Sequence, residues 1–264
     1  MDMQLKGKTA LITGSTAGIG FAIAKQLVAE GAKVVVNGRT AERVEVTINR
    51  LKFEYPEAEV LGVAADFSKA AEVTALTQQV PEVDILVNNV GIFEPTPFTQ
   101  ITDEDWFRFY EVNVLSGVRL SRFYFPKMQE ANWGRIIFIS SESALQIPEE
   151  MIHYGMTKTA QLAISRGLAE LTKGTAVTVN TILPGPTKSE GVSDFVSSLA
   201  KSQNISPAQA EADFFKNARP TSIIQRFATV EEIANLVTYV ASSLSSATNG
   251  AALRADGGVL KSAV

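Results

Sequence analysis

Seven short runs of unbroken apolar character alternate with longer stretches of helical periodicity, and that alternation leaves this chain few folds to choose from. The runs at 9–13 ("TALIT"), 33–37, 58–65, 83–89, 135–140, 176–183 and 251–256 read as strands. They lack the polar alternation of a half-solvated sheet, so they suit parallel strands covered on both faces. Helical periodicity fills 18–30, 40–53, 69–80, 103–131, 152–173 and 229–242. Strand and helix in turn imply right-handed crossovers. The predicted fold is therefore α/β: a Rossmann-type, doubly wound, mostly parallel seven-stranded sheet with helices on both faces. One domain is expected to span 1–264. Gly31 is placed to end the first helix. The long departure from the alternation, 187–222, is Ser-rich and follows a strand end, where a lid or substrate pocket is expected. Within it, Ser206 ahead of Pro207 predicts the N-cap of a helix over 208–217.

The first strand runs into "TGSTAGIG", which places Gly14, Gly18 and Gly20 between strand and helix. Bare backbone there permits a tight turn and close approach to a pyrophosphate, and the helix behind it points its amides at the phosphates. The spacing differs from G-x-G-x-x-G, so the turn alone is a weak sign of dinucleotide binding.

Composition narrows the function. A net charge of −4 and the absence of a basic cluster argue against nucleic acid or an anionic membrane as partner. The chain has no cysteine, which excludes disulfides and cysteine-ligated metals. No run reaches the roughly 20 apolar residues of a membrane span, and the N-terminal residues lack the apolar core of a signal peptide. A cytoplasmic location is expected, and no metal site.

Taken in order and spacing, "TGSTAGIG", "NNVG" (88–91), Asn113, Ser141, "YGMTK" (154–158) and "PGPT" (184–187) resemble the short-chain dehydrogenase/reductase family over about 5–258. One departure is Val90, where the family carries alanine. The resemblance implies hydride transfer between a nicotinamide and a carbonyl or secondary alcohol. Tyr154 and Lys158 are four apart on a predicted helix and share a face. A free phenol, with a pKa near about 10, exchanges protons poorly at neutral pH, and a neighbouring ammonium is expected to lower it. By resemblance Tyr154 is the general acid in reduction and the base in oxidation. Lys158 also holds the ribose, Ser141 steadies the substrate oxygen, and Asn113 holds a water linking Lys158 to solvent. Asn113 has the alternative of a buried, helix-distorting asparagine. Ser140 and Ser143 compete with Ser141, which the family spacing selects.

Cofactor contacts are expected from Gly14, Ser15, Thr16, Gly18, Ile19, Gly20, Asp66, Phe67, Asn88, Asn89, Gly91, Tyr154, Lys158, Pro184, Gly185 and Thr187. The second strand ends "VVVNGRT", with no acid to bond an adenine ribose hydroxyl. Arg39 can instead pair with a 2′-phosphate, which predicts NADP(H) over NAD(H), with Asn37 and Thr40 as helpers. Ser143, Leu145, Pro148, Met151 and the 187–222 excursion are expected to shape the pocket, with Phe195, Phe214 and Phe215 as an apolar lid. His153, the single histidine, points away from its neighbour Tyr154 and reads as packing; Glu149 and Glu150 read as pocket edge. Trp106, Phe107, Phe109 and Tyr110 read as core or subunit contact. A homotetramer or dimer through the 103–131 and 152–173 helices is expected. Two alternatives stay open: a 3-oxoacyl-(acyl carrier protein) reductase, and a catalytically silent NADP-binding sensor.

Overall fold

A computed structural model describes residues 2–263. Seven parallel strands form one sheet in the order β3-β2-β1-β4-β5-β6-β7. They are β1 (Thr9–Ile12), β2 (Lys33–Gly38), β3 (Val60–Ala64), β4 (Ile85–Asn88), β5 (Gly134–Ile139), β6 (Val177–Pro184) and β7 (Ala252–Ala255). The apolar runs owe their continuity to burial on both sides. In β1, Ala10 and Ile12 join one core with α1 (Gly18–Ala29) and α9 (Val230–Ala241). Leu11 joins a second core on the opposite face, with α3 (Ala70–Gln79) and α5 (Ser116–Glu130). Strand order reverses between β1 and β4, where Ile12 lies beside Val87. The loops leaving these two strands therefore diverge and open a crevice at the C-terminal edge of the sheet.

Two features differ from the sequence reading. The stretch 103–131 is not one α-helix. It divides into α4 (Asp103–Tyr110), a π-helical turn (Glu111–Leu115) and α5. The wider turn carries Asn113, in keeping with the helix-distorting alternative. The excursion holds two helices, α7 (Glu190–Gln203) as well as α8 (Pro207–Asn217). They enclose a small core of their own with Val196, Ala200, Ala210, Phe215 and Phe227. Ser189 caps α7 and Asn204 ends it in the left-handed region at φ 55°; Ser206 caps α8 as expected. Gly31 closes α1 at φ 82°. The remaining elements, α2 (Ala41–Glu54) and α6 (Ile152–Glu170), occupy their predicted places.

Arg135 is an unexpected cation inside β5. It is buried, and its guanidinium donates to the carbonyls of Ser242 (3.1 Å), Gly134 and Ala176 (both 2.9 Å) while lying over the Trp133 ring. It ties three segments at the N-terminal edge of the sheet, far from the crevice. Arg135→Ala is expected to cost about 3 kcal/mol of stability through unpaired carbonyls and lost packing. A lowered denaturant midpoint at unchanged slope would show it; an unchanged midpoint would contradict the tie.

Candidate active site

The glycine turn is built so tightly that side chains cannot enter it. Gly14 and Gly18 both have φ near +60° (60° and 56°). A Cβ on Gly20 would lie 2.4 Å from the Gly14 carbonyl oxygen and 2.5 Å from the Asn89 amide. The backbone at the start of α1 can thus come close to a ligand, and no side chain caps its amides. An uncapped helix N-terminus opening on a crevice suits a pyrophosphate. Around it, Asn37 accepts from Gly14 N at 3.0 Å and donates to Val63 O at 3.0 Å. Ser15 donates to Ile12 O at 2.8 Å and accepts from Asn37 N at 2.9 Å. Asn89 donates to the carbonyls of Thr13 and Gly14.

At the end of β2, a Cβ on Gly38 would lie 2.5 Å from the Thr16 methyl. Thr16 therefore occupies the space where a longer side chain at 38 would begin. Arg39 beyond it is exposed, and its charge helps hold the Asp66 carboxyl below the usual range. The main cause of that lowering is the Ser68 backbone N–H, 3.0 Å from the carboxylate.

From the turn, the crevice continues into a cleft of about 700 Å³. Ile19, Asn89, Gly91, Pro184, Gly185 and Thr187 line it together with Ser141, Tyr154 and Lys158. Ser141 follows β5, while Tyr154 and Lys158 lie one turn apart on α6. Lys158 is buried, and Nζ donates to Ile139 O at 2.9 Å. It sits 5.6 Å from the centre of the Tyr154 ring. Gly91 leaves room for it, since a Cβ there would lie 3.2 Å from Nζ. Burial pulls the Lys158 amine down to about 8. The Tyr154 phenol moves the other way, pushed above its ordinary value by burial and by the nearby Glu142 carboxylate. This differs from the expected lowering: burial comes first and the Glu142 carboxylate second, while a hydrogen bond with Ser141 and the Arg219 charge oppose them. Ser141 Oγ accepts from Ser143 N at 3.1 Å and donates to Glu142 at 2.5 Å.

The short chain dehydrogenase family pattern matches residues 8–199. The oxidoreductases YvaG and YvrD of Bacillus subtilis (strain 168) are 55% and 49% identical, each across 99% of this chain and 99% and 100% of their own lengths. A solved L-sorbose reductase from Gluconobacter frateurii, complexed with NADPH and L-sorbose, superposes at a TM-score of 0.92 with 33% identity. That match covers 99% of this chain and 100% of that one. The chain belongs to the short-chain dehydrogenase family.

In this member of the short-chain dehydrogenase family several of the expected contact residues also hold the scaffold together. Ser15 and Asn37 are buried and bonded to one another, so they shape the turn from behind. Phe67 is buried in the second core, and Asn88 lies beneath the cleft with its amide donating to Ser121. Thr40 caps α2. Asn113 Oδ1 accepts from Ile92 N at 2.7 Å, and its amide donates to Ile92 O at 2.9 Å and to Thr157 at 3.0 Å. Ser140 bonds the Lys158 carbonyl. His153 packs on Phe109, with ring centres 4.0 Å apart. Ser143, Met151 and Phe214 line the cleft, whereas Phe215 belongs to the α7–α8 core and the Phe195 side chain lies outside the described residues. Leu145 is exposed, and neither it nor Pro148 is among the described lining residues. Unforeseen are Glu142 and Arg219, an ion pair inside the cleft. The doublet "SE" after β5 was the available signal for the first; nothing near Arg219 points to its partner. Among the described residues no cluster is placed to hold a metal, and no helix is long and apolar enough to cross a membrane.

Proposed function

We propose that this chain is an NADP(H)-dependent oxidoreductase that interconverts a carbonyl and a secondary alcohol, with Tyr154 as the acid and base. The observation that carries this is the continuity of one cleft, from the uncapped α1 terminus to Ser141, Tyr154 and Lys158. The Gly14–Gly20 turn and Asn89 fit a dinucleotide pyrophosphate, while Gly91, Lys158, Gly185 and Thr187 are placed for its nicotinamide half. The cofactor, when bound, supplies the hydride. The protein supplies the proton and the electrostatics. Tyr154 stands protonated at neutral pH, as a phenol ordinarily does, and is placed to donate to a carbonyl oxygen gaining negative charge. Ser141 donates to Glu142 here, and offers its one proton to the same oxygen by rotating its hydroxyl away from that carboxylate. The Lys158 ammonium steadies the phenolate left behind. Asn113 acts by holding Ile92 and α6 at the height of the site. The α7–α8 excursion is assigned the role of lid over the substrate end.

Choice of NADP(H) rests on the close fit of Thr16 over Gly38, the missing acid there and the exposed Arg39 beside it. The NADPH held by the L-sorbose reductase supports it. Arg39→Ala is expected to weaken NADPH binding about 10- to 100-fold and leave NADH within about twofold. Fluorescence titration of both cofactors checks this; equal weakening would remove the 2′-phosphate contact. We also assign the chain to a homo-oligomer, dimer or tetramer, through α4–α5 and α6, with Phe107 exposed on α4 and Leu171 exposed just after α6. The reading as a whole is tested by oxidation of NADPH over a panel of ketones and aldehydes. Saturable turnover supports it, and tight NADPH binding with no turnover would favour a sensor.

A further inference from the structure

The oxidoreductase reading leaves one buried charge in the cleft without a part. Glu142 is only 7% exposed and is held from two sides. Ser141 Oγ donates to its Oε2 at 2.5 Å, and Arg219 Nε donates to its Oε1 at 3.1 Å. Arg219, itself 12% exposed, comes from the chain just after α8, so the contact joins the excursion to the floor of the cleft. Its Nη1 reaches a second carboxylate, Glu150, at 3.4 Å and the Ala218 carbonyl at 2.8 Å. A third carboxylate, Asp213, lines the same space. Among the described lining residues the substrate end thus sets three acids against one guanidinium. The cleft's other cation, Lys158, lies beneath Tyr154 and is tied to Ile139 O. The rest of this end is largely apolar, with Ile92, Phe93, Met151, Val192 and Phe227.

This arrangement has a direct consequence for the charge of a substrate. An arginine in a reductase cleft would ordinarily welcome a carboxylate. Here its Nε is engaged by Glu142 and its Nη1 by Glu150 and the Ala218 carbonyl, so the guanidinium's charge is already offset by acids of the protein. A second anion brought to Ser141 would meet Glu142 where burial leaves repulsion least screened. A neutral ketone meets none of this, and the apolar walls favour it.

We propose that this site takes an uncharged carbonyl or alcohol and turns away carboxylates, and that Glu142 is the residue that sets this selectivity. The proposal rests on the oxidoreductase reading. Selectivity of this kind is negative: it arises from a repulsive element facing the wrong substrate.

The test uses pairs that share one ketone and differ only in charge: acetoacetate and methyl acetoacetate, pyruvate and methyl pyruvate, levulinate and methyl levulinate. Reduction by the wild-type enzyme with NADPH is expected to give kcat/KM about 30-fold or more in favour of the ester, as a close like-charge contact requires. Glu142→Gln keeps the shape and frees Arg219. Its ester-to-carboxylate ratio is expected to fall about tenfold, through KM of the carboxylate. Any loss transmitted through Ser141 affects both members of a pair and cancels in the ratio. Arg219→Gln serves as a control of opposite sign, because removing the guanidinium leaves the acids unopposed and raises the ratio. Calorimetric titration with acetoacetate gives a second readout: binding should strengthen in Glu142→Gln and weaken in Arg219→Gln. Wild-type preference for the carboxylates, or ratios unmoved in both variants, would overturn the proposal while leaving the oxidoreductase reading intact. If no pair and no other carbonyl is reduced, the oxidoreductase reading itself fails, and this proposal with it.

Discussion

Tyr154→Phe is expected to lower kcat for carbonyl reduction by about a thousandfold or more, at the upper part of the range for losing a general acid. NADPH affinity should stay within about tenfold, since a single hydrogen bond is at stake. The phenylalanine ring keeps the edge contact that Tyr154 makes with Phe93, whose centre lies 6.3 Å away, so the fold of the cleft is preserved. What disappears is the one lining hydroxyl placed beside Ser141 with Lys158 behind it. A proton would then have to come from water, in a cleft whose walls are mostly apolar. Steady-state kinetics with a cofactor titration on the same preparation checks this. Turnover within a factor of ten of wild type, at intact affinity, would remove Tyr154 from the chemistry.

Lys158→Met is the second large expectation, with kcat/KM for reduction falling by about a hundredfold or more. Methionine fills the same buried volume without the charge. Cofactor affinity should weaken in parallel, about tenfold, because Lys158 faces Gly91 at the end of the cleft proposed for the nicotinamide. Stability should hold or rise, because burial already disfavours this ammonium, pulling it down to about 8. Activity lost from a protein that melts no lower is the mark of a functional residue. The pH dependence has a defined sign. Lys158 carries its charge below about 8 and loses it as pH rises through that value. The phenol, pushed above its ordinary range, remains protonated over the same interval. Reductive kcat/KM is therefore expected to be level at neutral pH and to decline above about 8, with that limb absent in Lys158→Met. A wild-type profile still flat well above this range would contradict the role given to the ammonium.

Much of the fold could be read from the chain because its strands are buried on both faces. An apolar run such as "RIIFI" has no polar face to obscure it, and the helices between runs show the 3.6-residue period. The helix α7 escaped because "EGVSDFVSSLAKSQ" is Ser-rich, and its buried Val196 and Ala200 rest on α8 and Phe227, which a local pattern does not contain. The π-helical turn at Asn113 was hidden for a related reason: one extra residue in a turn shifts the periodicity too little to be seen. Motif membership, too, does not separate a side chain that faces a ligand from one that holds the loop. Asn37, at the end of the second strand, and Asn89, in "NNVG", are both expected cofactor contacts, yet Asn37 is buried behind the turn while Asn89 lines the cleft. Glu142 and Arg219 are 77 residues apart, and only the return of the excursion over the sheet brings them together. The Tyr154 phenol is raised where the sequence suggested it would be lowered because burial, and after it the Glu142 carboxylate, disfavours the phenolate, while Arg219 opposes them.

The most direct measurement is transfer of deuterium from NADPH labelled at the reactive nicotinamide carbon, using methyl acetoacetate as acceptor. If one cleft seats the cofactor on the α1 terminus and the carbonyl against Tyr154, the label appears on the carbinol carbon of the product and its transfer slows the wild-type rate. Bound NADPH that keeps its label, with no alcohol formed from this or any other ketone tried, would contradict it.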